Sequence, residues 1–140
     1  MAAIPDRINI DKADRLLYQK VVDENVLQFK EKDRKDQFIF AMAVGFANKI
    51  RRPLTAKEGF FRTEYLRPED EALICAIALY EGNVEVLADK ERVFQVAEEY
   101  AHAGIKLLVD ELEGPGFANF SKRLERELYD AYDKLSPMRQ

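Results

Sequence analysis

The feature that most constrains this chain is its longest apolar run, Phe38–Val44, seven residues followed directly by Gly45, Phe46 and Ala47. A helix apolar on nearly every side belongs in the middle of a core, enclosed by other elements. A buried strand is the competing form for so short a run. The alanine and methionine content, with Asp33 and Asp36 placed to cap and open a helix, favours helix. The run is also far shorter than the roughly 18 apolar residues a membrane span needs. Gly45 removes a side chain from this helix, either to let another element approach closely or as a simple weak point.

The rest of the chain supplies the enclosing elements. With 140 residues, 47% of them hydrophobic, it can bury a core without a disulfide or a metal. Asp11 is a candidate cap for a helix over about residues 12–23, and residues 1–10 read as a tail or docking arm. Pro68, with Glu69, Asp70 and Glu71 in the first turn, opens a helix whose buried face holds Leu73, Ile74 and Ile77. Val84–Leu87 reads as a short connector. Asp89 caps a long helix to about Leu112, with a stripe from Val93 to Leu108 that includes Gly104. Gly114-Pro115-Gly116 stops it. A last helix, about Ala118–Leu135, carries Phe120, Leu124, Leu128, Tyr132 and Leu135 before Ser136-Pro137. It either folds back on the bundle or pairs with a second copy. The predicted fold is all-α: one domain over 1–140, a compact bundle of about five helices, with an irregular or β-like segment around residues 54–66. Phe38–Phe46 and Leu73–Ile77 are its expected inner elements.

Cys75 is the only cysteine, so no intrachain disulfide forms and a cytoplasmic chain is expected. The polar start, with Pro5, Asp6 and Arg7, lacks the form of a secretory signal. Within Leu73–Ile77, Cys75 reads as a buried, inert thiol. His102 is the only histidine. Glu99 and His102 stand at the one-turn spacing used in di-iron bundles, but that chemistry needs a second such pair. Beside Glu98, Glu99 and Lys106, His102 reads as an exposed side chain off the apolar stripe. No catalytic constellation, metal site or cofactor motif is predicted; an enzyme, if there is one, would centre on Glu99 and His102.

The net charge of -4 is unevenly spread. Residues 49–67 carry Lys49, Arg51, Arg52, Lys57, Arg62 and Arg67 against Glu58 and Glu64, a balance of +4, while residues 68–140 sum to -8. Only the first of these segments would attract a phosphate backbone. Its six cations are the candidate DNA or anion contacts, interleaved with Phe60, Phe61 and Tyr65 as in a single-strand platform. The dipole of the preceding helix accounts for Lys49, Arg51 and Arg52 without any ligand.

Five strings in order resemble one family. They are Lys35–Phe46, Arg51-Arg52-Pro53-Leu54, Glu71–Leu79, Leu87-Ala88-Asp89 and Glu98–Gly104. Together they resemble an accessory protein, of the fourth type, of the prokaryotic DNA phosphorothioation (Dnd) systems. The likeness covers about residues 33–112 and leaves the tail after Gly114 outside. It implies a place in DNA sulfur modification and its linked defence, and it carries no catalytic motif. The resulting expectation is a non-catalytic adaptor that contacts protein partners of such a system. Direct DNA contact is the alternative, no membrane partner is expected, and the chain is a monomer or a homodimer through the 118–135 helix.

Overall fold

The computed structural model describes residues 5–113 and 117–135. Among these, five α-helices accompany a two-stranded sheet. In chain order they are β1 (Arg7–Asp11), α1 (Asp14–Asp23), α2 (Arg34–Ala47), β2 (Lys57–Arg62), α3 (Pro68–Glu81), α4 (Lys90–Leu112) and α5 (Phe117–Leu135). Short 3-10 turns lie at Val26–Glu31, Thr63–Tyr65 and Val84–Ala88.

The helix starts follow local chemistry. Asp33 accepts from the Asp36 N–H at 2.8 Å, and Asp89 from the Arg92 N–H at 3.2 Å. Each satisfies an amide that has no partner within its helix. Pro68 occupies the first turn of α3, where its missing N–H costs nothing.

The centre of the molecule is α4. Thirteen of its 23 residues are buried, over most of its circumference, and Glu91, Arg92, Lys106 and Asp110 are exposed on the remaining face. It packs on α2 with α1, α3 and β1 around it. The α2–α4 crossing is backbone against backbone. A Cβ at Gly45 would collide with the Tyr100 carbonyl; one at Gly104 would collide with the Ala41 carbonyl and come within 2.8 Å of the Gly45 nitrogen. Gly45 is therefore the close-approach residue and not a weak point. Phe38, Ala41, Met42 and Val44 of α2 are fully buried, as are Ile74 and Ile77 of α3, in keeping with the expected inner elements. Phe40 is only partly buried.

Three expectations need correction. Residues 7–11 are not an arm: β1 pairs antiparallel with β2, Arg7 opposite Arg62 and Asp11 opposite Lys57, with an irregularity between Ile8 and Asn9. Ile8 and Ile10, two residues apart, put one face of this short strand into the core. Asp11 does not cap α1. That helix starts at Asp14 behind Ala13 without a side-chain cap. Asp11 instead accepts from the Thr55 N–H at 2.7 Å, the Thr55 hydroxyl at 2.9 Å and the Ala13 N–H at 3.1 Å, tying the loop before β2 to β1. Cys75 is half-buried, with the Lys90 Nζ 3.8 Å from its Sγ.

At the C-terminal end, Leu128 packs against the core and Ala131 is buried, so α5 folds back over α2 and α3. Tyr132, placed on its apolar stripe, is 42% exposed. The Gly114-Pro115-Gly116 and Ser136-Pro137 stops, and the Phe120, Leu124 and Leu135 side chains, lie outside the described residues.

Replacing Gly104 by alanine sets a methyl against a carbonyl that cannot rotate away. We expect a loss of about 3 kcal/mol or more, seen as a lower urea midpoint at unchanged m-value. Ile74→Ala should cost about 2–5 kcal/mol, and Phe40→Ala, being half-buried, less.

Candidate functional site

Two of the acids on α4 are not on its solvated face. Because neighbours surround the helix, Glu98 is 4% exposed and Glu99 is 7% exposed. Each needs a partner, since a buried carboxylate without one is costly. Glu99 finds Arg51: its Oε1 lies 3.2 Å from the guanidinium Nε, and Gln95 donates to Oε2 at 3.3 Å. The Arg52 N–H also donates to the Glu99 carbonyl at 3.2 Å. The same guanidinium lies 3.9 Å from Glu81, which accepts from the Tyr100 hydroxyl. Arg51 thus ties the end of α3 to the middle of α4.

His102 is likewise not an idle surface residue. Its Nδ1 lies 2.6 Å from Oδ2 of Asp14, which is buried at the start of α1. Burial raises the Asp14 carboxyl above the usual range, against the lowering effect of His102. Tyr18, one turn along α1, is buried, and its hydroxyl has no hydrogen-bond partner among the described residues. Its ring packs on Phe60 at 4.7 Å. Glu99 and His102 therefore face different partners, Arg51 and Asp14, and do not converge on one point.

Glu98 has the weakest provision. Its Oε2 accepts from the Asn9 N–H at 2.8 Å. Burial pushes its carboxyl up to about 7, although Asn9 and the Lys57 charge pull the other way.

The six cations of residues 49–67 separate in space. Arg51 is held as described. Arg62 pairs with Glu64 beside it, and Arg67 meets Asp70 at 3.2 Å and Glu69 at 3.4 Å. Asp70 is itself buried and also takes the Lys35 ammonium at 3.2 Å. Lys49, Arg52 and Lys57 are exposed. Lys49 has a left-handed backbone, φ 57°, just past the end of α2.

The other candidate surface surrounds α5. An apolar cavity of about 330 Å³ lies between α2, α3 and α5, lined by Ile39, Phe40, Phe46, Leu73, Ile77 and Leu128 among others. It continues on one side into a groove of about 590 Å³ with Phe40, Tyr129 and Tyr132. On the other side a groove of about 430 Å³ holds Phe46, Tyr80, Glu81 and Asp130. Tyr80 is 62% exposed and Tyr129 is 66% exposed. Sequence patterning offers α5 as folded back on the bundle or paired with a second copy, and does not show that the folded-back helix leaves grooves beside it.

The shift at Glu98 has a sign that can be tested. The unfolded chain releases this proton near 4.5, and the folded chain holds it to about 7. Between those values the unfolded state gains from ionising first, so stability falls as pH rises through this window. Glu98→Gln removes the effect while keeping an acceptor for Asn9. The variant should match the wild type near pH 4 and exceed it by about 3 kcal/mol at pH 8, measured by urea unfolding across pH.

No helix among the described residues is long and apolar enough to cross a membrane, and no group of three metal-ligating side chains is found among them. No curated protein and no solved structure shows a significant match to the chain. The family model described as DNA sulphur modification system-associated protein 4 matches residues 7–138. The match extends beyond the stretch covered by the five sequence strings, taking in β1 at one end and α5 at the other. Arg51, Glu99 and His102, the Gly45–Gly104 crossing and the α5 surface all lie within it, and the chain belongs to the family of DNA sulphur modification system-associated protein 4.

Proposed function

We propose that this chain is a non-catalytic accessory protein of a prokaryotic DNA sulphur modification and defence system, acting as an adaptor through protein–protein contacts. The observation that carries this reading is the exposed aromatic border of the α5 grooves, with Tyr80 on one side and Tyr129 on the other. Large aromatic side chains left exposed beside apolar grooves are typical of interaction surfaces. The charged groups that could have formed a catalytic centre are instead engaged in holding elements together, as Arg51 does with Glu99 and Asp14 with His102.

The test uses the full chain with separately purified proteins of the modification system. One of them should co-elute with it in size exclusion. Tyr80→Ser and Tyr129→Ser, both at exposed positions, should each weaken that complex about tenfold by calorimetry without changing the circular dichroism. Failure of every system protein to bind at about 100 µM would remove the reading. So would an activity abolished by His102→Ala in a chain that stays folded.

The second reading is direct contact with DNA. It is favoured by the exposure of Lys49, Arg52 and Lys57. If three phosphates are contacted, the logarithm of the affinity should fall with log salt at a slope of about -3. A low-salt mobility shift abolished by Arg52→Ala with Lys57→Ala would support this reading, and no shift at micromolar protein would eliminate it.

A further inference from the structure

Two carboxylates of this chain are almost equally hidden from solvent and are provided for very differently. Asp11, 3% exposed, collects backbone N–H groups of Ala13, Thr55 and Ala56 and the Thr55 hydroxyl. Glu98, 4% exposed, is met by donors from Asn9 alone. No cation closes an ion pair on it among the described residues. A glutamine would take the same Asn9 N–H with no charge to bury, so the charge is not explained by the fold.

The space in front of Glu98 does explain it. Glu98 lines a groove of about 460 Å³ between the first half of α4 and the β1 strand. That size is in the range of small-molecule sites. Glu91 and Gln95 stand on the same side of α4 as Glu98, and Phe94 gives the groove an apolar patch. The opposite wall carries Arg7 from β1, and Lys57 stands at the start of β2. Both cations are exposed. Gly59 lets the Arg7 side chain lie across the strand pair, since a Cβ there would come within 3.1 Å of Arg7 Cδ. Asp6 adds a carboxylate at the edge. These acids do not form a metal-binding group among the described residues, so a hard cation is not the occupant they suit.

A groove with a buried acid on one wall and exposed cations on the other matches a ligand that carries both signs close together. We infer that this groove binds a free α-amino acid. Its ammonium sits on Glu98, its carboxylate between Arg7 and Lys57, and its side chain along Phe94. The ammonium supplies the charged donor that Glu98 lacks, and a charge-assisted bond of that kind is the strong class of hydrogen bond.

The test is calorimetry and thermal shift on the full chain with each of the standard amino acids, up to about 10 mM. At least one should bind at a single site. Its decarboxylated amine and its des-amino acid should each bind at least about tenfold more weakly, because each loses one charged contact. Glu98→Gln should weaken the amino acid about tenfold or more. Arg7→Gln, at an exposed position, should do the same and tests the carboxylate end of the ligand separately. Absence of binding by every amino acid would overturn the inference. So would equal binding of the amine, which would make the groove a plain cation site, or unchanged affinity in a folded Glu98→Gln or Arg7→Gln chain.

Discussion

Gly45 and Gly104 let two helix backbones meet where side chains would normally hold them apart. A Cβ on either would strike a carbonyl of the other helix, and neither carbonyl can yield without unwinding its own hydrogen bonds. Helices usually pack with axes about 8–10 Å apart, spaced by the side chains at the contact. Removing those side chains draws α2 tightly onto α4, with Ala41, Ala97 and Ala101 buried on the two helices. That places α4 deep enough to be covered from several directions, by α1, α3 and β1 as well as α2.

The depth of α4 has a chemical consequence. Glu91 and Asp110, toward the two ends of α4, stay in water, but the carboxylates at its middle do not. Glu98, Glu99 and Tyr100 are consecutive and all buried. Their three polar ends are met from three separate elements: Glu98 by the Asn9 N–H of β1 alone, Glu99 by Arg51 after α2, and Tyr100 by Glu81 at the end of α3. One turn further on, His102 reaches Asp14 on α1. The polar groups of α4 therefore attach the surrounding elements to it. Such pairs add little net stability over apolar packing, but removing one partner leaves a buried charge exposed to its full desolvation cost.

The helices were legible because their signals are local. Asp33 and Asp89 cap the helices they were read to cap, and Pro68 opens α3. The sheet was not legible. β1 is five residues long, and the register pairs Asp11 with Lys57, far along the chain. Nothing in Arg7-Ile8-Asn9-Ile10-Asp11 distinguishes a core strand from a polar arm until its partner is known. Asp11 was misread for the same reason: an aspartate ahead of an amphipathic segment is a good cap on local grounds, but donors from Thr55 and Ala56 claimed it. His102 and Glu98 were misread because helical periodicity assumes one wet face. On α4 that face is narrow, and Asn9 of β1 and Asp14 of α1 reach the residues at its edges.

The basic segment shows how charge counted along a chain differs from charge presented by a surface. Over residues 49–67 the cations outnumber the acids, yet Arg51 and Arg67 find their counter-charges outside that window, in Glu99 and Asp70. Those two acids belong to the part of the chain that carries the balance of -8. The two opposite surpluses are thus partly one set of internal contacts, viewed as if the chain were extended. Arg51 is the clearest case. Its position after the C-terminus of α2 suits a cation through the helix dipole. Its guanidinium, however, is directed at a buried carboxylate, where a planar group with several donors can reach Glu99 and Glu81 together. A lysine there would keep the dipole interaction and lose the two-sided guanidinium bridge between α3 and α4.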